Sequence, residues 1–342
     1  MHSFPRSTLL VVSALLFPGF GIPATTATVS DASALMADAL KQEDLFATDA
    51  RDIDLHAKLE FAIGGGKVAA GDYTLERVSK SQSREEIKFA NFSRIIIRES
   101  KGYWQKRTTD YQPEVIFLLE DLLNFGRVLN LAPGESIGKI TNRKQDATTL
   151  ACVEVKLSGE PARKLCFDQT HNVLASVDYF AAPHQNPPEV TRVEYSEFVA
   201  ADGHLFPGQF RAFSGRKIIL AFIVSGFARL AKVDPDWFVP PANAEFWPNC
   251  EEPRNAKLIT RVQPDYPVND RANHVQGTVV FFAVIEADGS LSHLTSIRPA
   301  PAELESNAAE AVRQWRYDPL TCGGIPHRLE TRISVDFRAD PR

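Results

Sequence analysis

The sequence predicts an α+β protein: a large, mostly antiparallel sheet with two helices, followed by a small strand-strand-helix-strand unit. Three observations predict it. Period-two alternation recurs in short segments between glycine and serine turns, the pattern of an antiparallel meander. Two longer segments carry apolar residues at helical spacing instead. After a proline-rich passage the pattern restarts as a compact unit whose one helix can cover one face of a small sheet.

Taken in order, residues 1–27 have a basic start (His2, Arg6), an apolar stretch from Leu9 to Phe20 and small residues at Thr25 and Ala27. That is the layout of an export leader cleaved before Thr28. The competing reading is an uncleaved anchor, although Pro18, Gly19, Gly21 and Pro23 interrupt the run before the roughly 20 apolar residues a span requires. Residues 28–240 form the sheet-rich region. Ser30 to Ala47 carries Leu35, Ala39 and Leu40 at helical spacing, with Ser30 or Asp31 as cap. DLHAKLEFAI, GDYTLERVS, SREEIKFA, FSRIIIRES and GYWQKRTT follow as strands. Glu114 to Leu131 repeats Val115, Leu118, Leu119, Leu122 and Phe125, a second helix. TTLACVEVKL, ARKLCF, NVLASVDYF, VTRVEYSEFV, LFPGQFRAFS and KIILAFIVSGF complete the sheet.

Residues 241–254 are proline-rich and aperiodic. They read as a linker packed on a neighbour by Trp247, with Trp237 and Phe238 just before it. In residues 255–342, QPDYP is a stiff extended lead-in. Gln276 to Arg298 is two strands around the turn Glu286-Ala287-Asp288-Gly289-Ser290. Glu303 to Trp315 is a helix with Leu304, Ala308, Ala311, Val312 and Trp315 on one face, ended by Pro319. His327 to Phe337 alternates Leu329, Thr331, Ile333, Val335 and Phe337 as a last strand.

Charge and cysteine usage narrow the function classes. The net charge is −5 and basic residues are interspersed with acids, so nucleic acid is not an expected partner. Four cysteines in an exported chain suggest pairing. Cys152 and Cys166 flank a hairpin that turns near Gly159, which sets them opposite each other; Cys250 and Cys322 are the remaining pair. The competing reading is four buried thiols.

Catalytic patterns are not found. The eight histidines stand apart and form no zinc spacing. Gly64-Gly65-Gly66-Lys67 lacks the Walker spacing and leads into a strand rather than a helix. The pairs Glu85-Glu86 and Glu251-Glu252 sit in strand-edge and linker settings. No cofactor or metal set emerges, and the reading is of a protein that is not an enzyme.

Several motifs nevertheless stand in a telling order: Tyr266-Pro267, Gly277 opening a strand, Asp288-Gly289 at its turn, Trp315-Arg316-Tyr317 with Pro319 after the helix, Gly324 with Pro326, and the alternating final strand. Over about residues 255–338 this set closely resembles the carboxyl-terminal domain of the TonB family. The resemblance implies a sheet with its last strand on the edge, where an extended segment of an outer-membrane receptor joins by strand addition. It implies a cell-envelope protein in outer-membrane transport, periplasmic if the leader is cleaved and inner-membrane anchored if it is not. Arg316 and Arg328 are then placed to meet carboxylates or carbonyls of the guest. Tyr266, Pro267, Ile333, Val335 and Phe337 are the remaining docking residues, and an open edge also permits a homodimer. The family's long proline-rich spacer is absent here, and a strand-rich region stands in its place. That region has a looser resemblance to periplasmic lipoprotein-carrier folds, which implies as an alternative a carrier of a lipid or other apolar ligand.

Overall fold

A computed structural model describes residues 31–43, 52–62, 67–145, 148–157, 162–180, 190–201, 203–230, 232–250, 256–298 and 300–338. The leader, Gly64 to Gly66 and Glu251-Glu252 lie outside the described residues. No helix among them is long and apolar enough to cross a membrane.

The first helix, α1 (Ala32–Glu43), precedes five strands of a meander: β1 (Ile53–Ala62), β2 (Val68–Ser79), β3 (Gln82–Phe89), β4 (Phe92–Glu99) and β5 (Gly102–Arg107). Two short helices follow, α2 (Glu114–Leu123) and α3 (Phe125–Leu129). The sequence predicts one helix here. Asn124 divides it, because its side chain accepts from the Arg127 amide at 3.2 Å and caps a new helix start. The chain then adds β6 (Ser136–Ile137), β7 (Thr141–Gln145), β8 (Thr148–Lys156), β9 (Arg163–Asp168), β10 (Val173–Tyr179) and β11 (Arg192–Ser196). A side hairpin, β12 (Val199–Ala201) with β13 (His204–Phe206), leads into β14 (Gln209–Ser214) and the long β15 (Lys217–Arg229).

These strands form one antiparallel sheet in the order β5-β4-β3-β2-β1-β15-β14-β11-β10-β9-β8-β6, with β7 also on β8. A further strand from the linker, β16 (Glu245–Pro248), pairs with β5 and becomes the outermost strand. Residues that the aperiodic sequence marks as connection therefore complete the sheet. One face carries the core: Leu59, Phe61, Tyr73, Phe210 and Phe222 are buried beneath Leu35 of α1, Leu119 of α2 and Phe125 of α3. Arg94 fastens α2 to the sheet. It is buried and donates to Gln112 at 2.6 Å, Glu120 at 2.5 Å and Glu85 at 2.8 Å. Cys152 and Cys166 are directly opposed on β8 and β9 and form a disulfide.

The last region begins with β17 (Leu258–Thr260) and the short α4 (Val268–Ala272). Then come β18 (Gly277–Ile285), β19 (Leu291–Arg298), α5 (Ala302–Arg313), β20 (Arg316–Tyr317), β21 (Leu320–Cys322), β22 (Ile325–His327) and β23 (Leu329–Phe337). The three main strands are ordered β19-β18-β23, with the last strand on the edge. Leu304, Ala308 and Val312 of α5 bury Val279, Phe281, Ala283, Ile333, Val335 and Phe337 on one face. At the turn after β18, Gly289 has φ +82, and a Cβ there would lie 1.9 Å from the Tyr317 carbonyl oxygen. The Asp288-Gly289 turn and the Trp-Arg-Tyr segment are thus one packed feature, closed by Tyr317 N donating to the Gly289 carbonyl at 2.9 Å.

Candidate docking edge

The last strand alternates by sequence, and its two faces have different neighbours. Ile333, Val335 and Phe337 point into the α5 core and are nearly inaccessible. Glu330, Arg332, Ser334 and Asp336 point the other way, and the last three are exposed. Backbone polarity alternates as well. The hairpin bond from Glu286 N to Ser290 O directs the even residues of β18 toward β19. Its odd residues therefore bond β23, through partners Leu329, Thr331, Ile333, Val335 and Phe337. The amides and carbonyls of Glu330, Arg332, Ser334 and Asp336 are left facing outward. Among the described residues β23 pairs with β18 alone.

The expected docking side chains make contacts within the chain. The Tyr266 hydroxyl donates to the Val275 carbonyl at 2.5 Å and its ring stands edge-on to Phe337 at 5.4 Å. Pro267 starts α4, its carbonyl accepting from Arg271 N at 2.9 Å. Arg316 donates to the carbonyls of Arg313 and Trp315 at the end of α5, a capping role. Trp315 itself donates to the Val262 carbonyl at 2.8 Å. Arg328 meets a carboxylate, but of its own chain: it pairs with Glu245 at 2.6 Å and lies 4.2 Å above the Trp247 ring.

Those contacts belong to an interface between the two sheets. Phe282 and Val284 on the helix-free face of β18 pack with Trp247, Tyr103, Tyr111 and Phe117. Around this apolar centre, Arg298 is held by Glu114 at 2.6 and 2.9 Å, Arg332 by Asp121 at 2.9 Å, and Glu330 by Arg107 at 2.7 Å. Burial raises the Glu330 carboxyl above its usual range, and Arg107 only partly offsets this. The Cys250–Cys322 disulfide ties the linker after β16 to the β21–β22 hairpin beside the same interface. A cavity of about 220 Å³ remains at this junction, lined by Arg98, Tyr103, Phe117, Glu120, His327 and Leu329 among others. Desolvation, then the nearby Arg328 charge, hold His327 below its ordinary value. The sequence signal for this interface is the unbroken apolar run Val279 to Ile285, since a strand with one wet face alternates.

Comparison with known proteins finds similarity in the last region by sequence, and in the upstream sheet and the last region among solved structures. Among solved structures, the chain is similar to a putative outer membrane lipoprotein-sorting protein domain from Vibrio parahaemolyticus. Identity is 7%, coverage is 60% of this chain and 95% of that one, and the TM-score is 0.40. The solution structure of the Pseudomonas aeruginosa TonB CTD is 20% identical, covering 28% of this chain and 96% of that one at a TM-score of 0.23. By sequence the chain is 34% identical over 89 residues to Protein TonB of Klebsiella pneumoniae, covering 25% of this chain and 37% of that protein. The chain therefore matches little more than a third of that relative's length. Residues 262–339 match the family described as Gram-negative bacterial TonB protein C-terminal.

Proposed function

We propose that this is a cell-envelope protein whose last sheet docks an extended segment of a partner, of the outer-membrane receptor type, by strand addition to β23 in transport across the outer membrane. One observation carries the reading: β23 has a row of outward backbone groups with no strand beside it among the described residues. The family match over residues 262–339 supports it. Each added backbone hydrogen bond contributes roughly 0.5–1.5 kcal/mol net, whereas ordering the guest costs about 1–2 kcal/mol per residue. Side-chain contacts must supply the surplus. Ile333, Val335 and Phe337 serve this reading by holding the strand from behind, because their side chains are already buried.

The test places a photoreactive amino acid at Ser334 in the native envelope, with the same group at exposed Glu310 of α5 as control. Capture of an outer-membrane receptor from Ser334 alone is expected. Equal products from both positions, or none from either, overturn the reading.

A second reading is a carrier of an apolar ligand on the large sheet. It is favoured by a rim groove of about 520 Å³ in which Phe89 and Phe92 meet Lys58 and Lys88. Solvent extraction of the purified protein followed by lipid mass spectrometry tests it; an empty extract counts against it.

A further inference from the structure

Helix α2 lies across the helix-free face of the small sheet and touches its strands in turn. Glu114 holds Arg298 of β19, Phe117 meets Phe282 of β18 at 6.3 Å, and Asp121 holds Arg332 of β23. The spacing is that of the strands themselves. From Glu114 to Asp121 the helix advances about 10.5 Å at 1.5 Å per residue, and two strand spacings are about 9.6 Å. One further spacing, where a strand added to β23 would run, falls about three residues on, at the α2–α3 junction. Asn124 and Arg127 are exposed there.

The charge at this position is unbalanced. Asp121 accepts from Arg127 as well as Arg332, so two guanidinium groups share one carboxylate. The Arg127 side chain is 67% exposed and that of Arg332 33%. The neighbouring carboxylate on α2, Glu120, is turned to Arg94 instead. The positive excess is local to Asp121 and borders the open edge, on the face where every second side chain of a guest strand would point, while the opposite excess, Glu85 and Glu120, is gathered at the buried Arg94.

We infer that Arg127, on the large-sheet side of the molecule, selects guest segments that carry an acidic side chain beside Arg332. The guest is an extended segment of another protein with an Asp or Glu on the face turned toward α2. This rests on the strand-docking reading and adds the partner's chemistry to it. It also gives the upstream region a part in recognition, since α2 and α3 extend the platform beyond the small sheet.

The experiment fuses a nine-residue probe to the full chain after Arg342 through a flexible Gly/Ser linker, which raises its local concentration to about the millimolar range. The probe alternates valine and threonine, with its central threonine replaced by Asp or by Lys. Hydrogen exchange at the Ser334 amide reports docking. At low salt the Asp probe should protect that amide about five-fold more than the Lys probe, the scale of an exposed ion pair. The preference should shrink at high salt, vanish in Arg127→Gln and reverse in Arg127→Glu. If both probes protect equally and neither variant matters, acid selection is overturned while strand docking stands. If neither probe protects Ser334, the docking reading and this inference fall together.

Discussion

Strands β18 and β23 lie side by side in one sheet and have opposite surroundings. β18 is paired on both edges and buried on both faces, with Phe281 under α5 and Phe282 against the large sheet. β23 is paired on one edge, buried on one face, and bound at its first half to α2 and β5 through Arg332 and Glu330. A hydrophobic strand can be covered completely at the centre of a sheet, while a neighbour one spacing away keeps its backbone available. The second face of the small sheet is therefore spent on the rest of the molecule, and the outer edge of β23 has no strand beside it among the described residues.

The comparison breaks first at Phe282. Phe281→Ala and Phe282→Ala should each cost about 3–5 kcal/mol in chemical denaturation, because both rings are fully packed. Were the helix-free face wet, Phe282→Ala would fall within about 0.5 kcal/mol of wild type, as surface changes do. A proline pair sharpens the contrast on β23. Ile333→Pro removes an inward amide and a buried side chain and should cost about 3 kcal/mol or more. Ser334→Pro removes only an outward amide, so stability should change by less than about 1 kcal/mol while partner capture is lost. Equal stability losses would show the ladder phase to be reversed.

Joint replacement of Cys250 and Cys322 by serine should lower stability by about 2–4 kcal/mol, the usual range for a bridge closing a long loop. Retained melting temperature in the oxidised and serine forms alike would mean the two sheets need no covalent tie. The smallest effect belongs to His327. Its folded pKa lies below 6.5, so as pH falls through 6.5 the unfolded chain takes up a proton that the folded chain does not, and stability declines. His327→Gln should remove that part of the slope in pH-dependent melting curves. An unchanged difference between variant and wild type from pH 7.5 to 5.5 would contradict it.

Much of this was legible in residue order because local physics decides it. Alternation set which side chains of β23 face a core, the Asp288-Gly289 turn demanded a glycine, and the hairpin between Cys152 and Cys166 put the two sulfurs opposite each other. Other features escaped for reasons equally physical. Asn124 reads as one residue within a helical repeat, and only its capping bond to Arg127 shows the break. Arg328 is a basic residue before a strand in either reading. Its partner Glu245 is 83 positions away by numbering, on a strand that proline-rich sequence disguises.

By itself the sequence determined most of the main strands and helices, the α5-facing core of the last sheet and the family motifs of residues 262–339, all matters of spacing between near neighbours. The tertiary structure decided what covers the other face of β18, which carboxylate each interface arginine meets, and that α2 crosses the small sheet toward its open edge. Those choices depend on how two separately patterned sheets approach, and contacts between residues 184 or 211 positions apart leave no period in the chain to read.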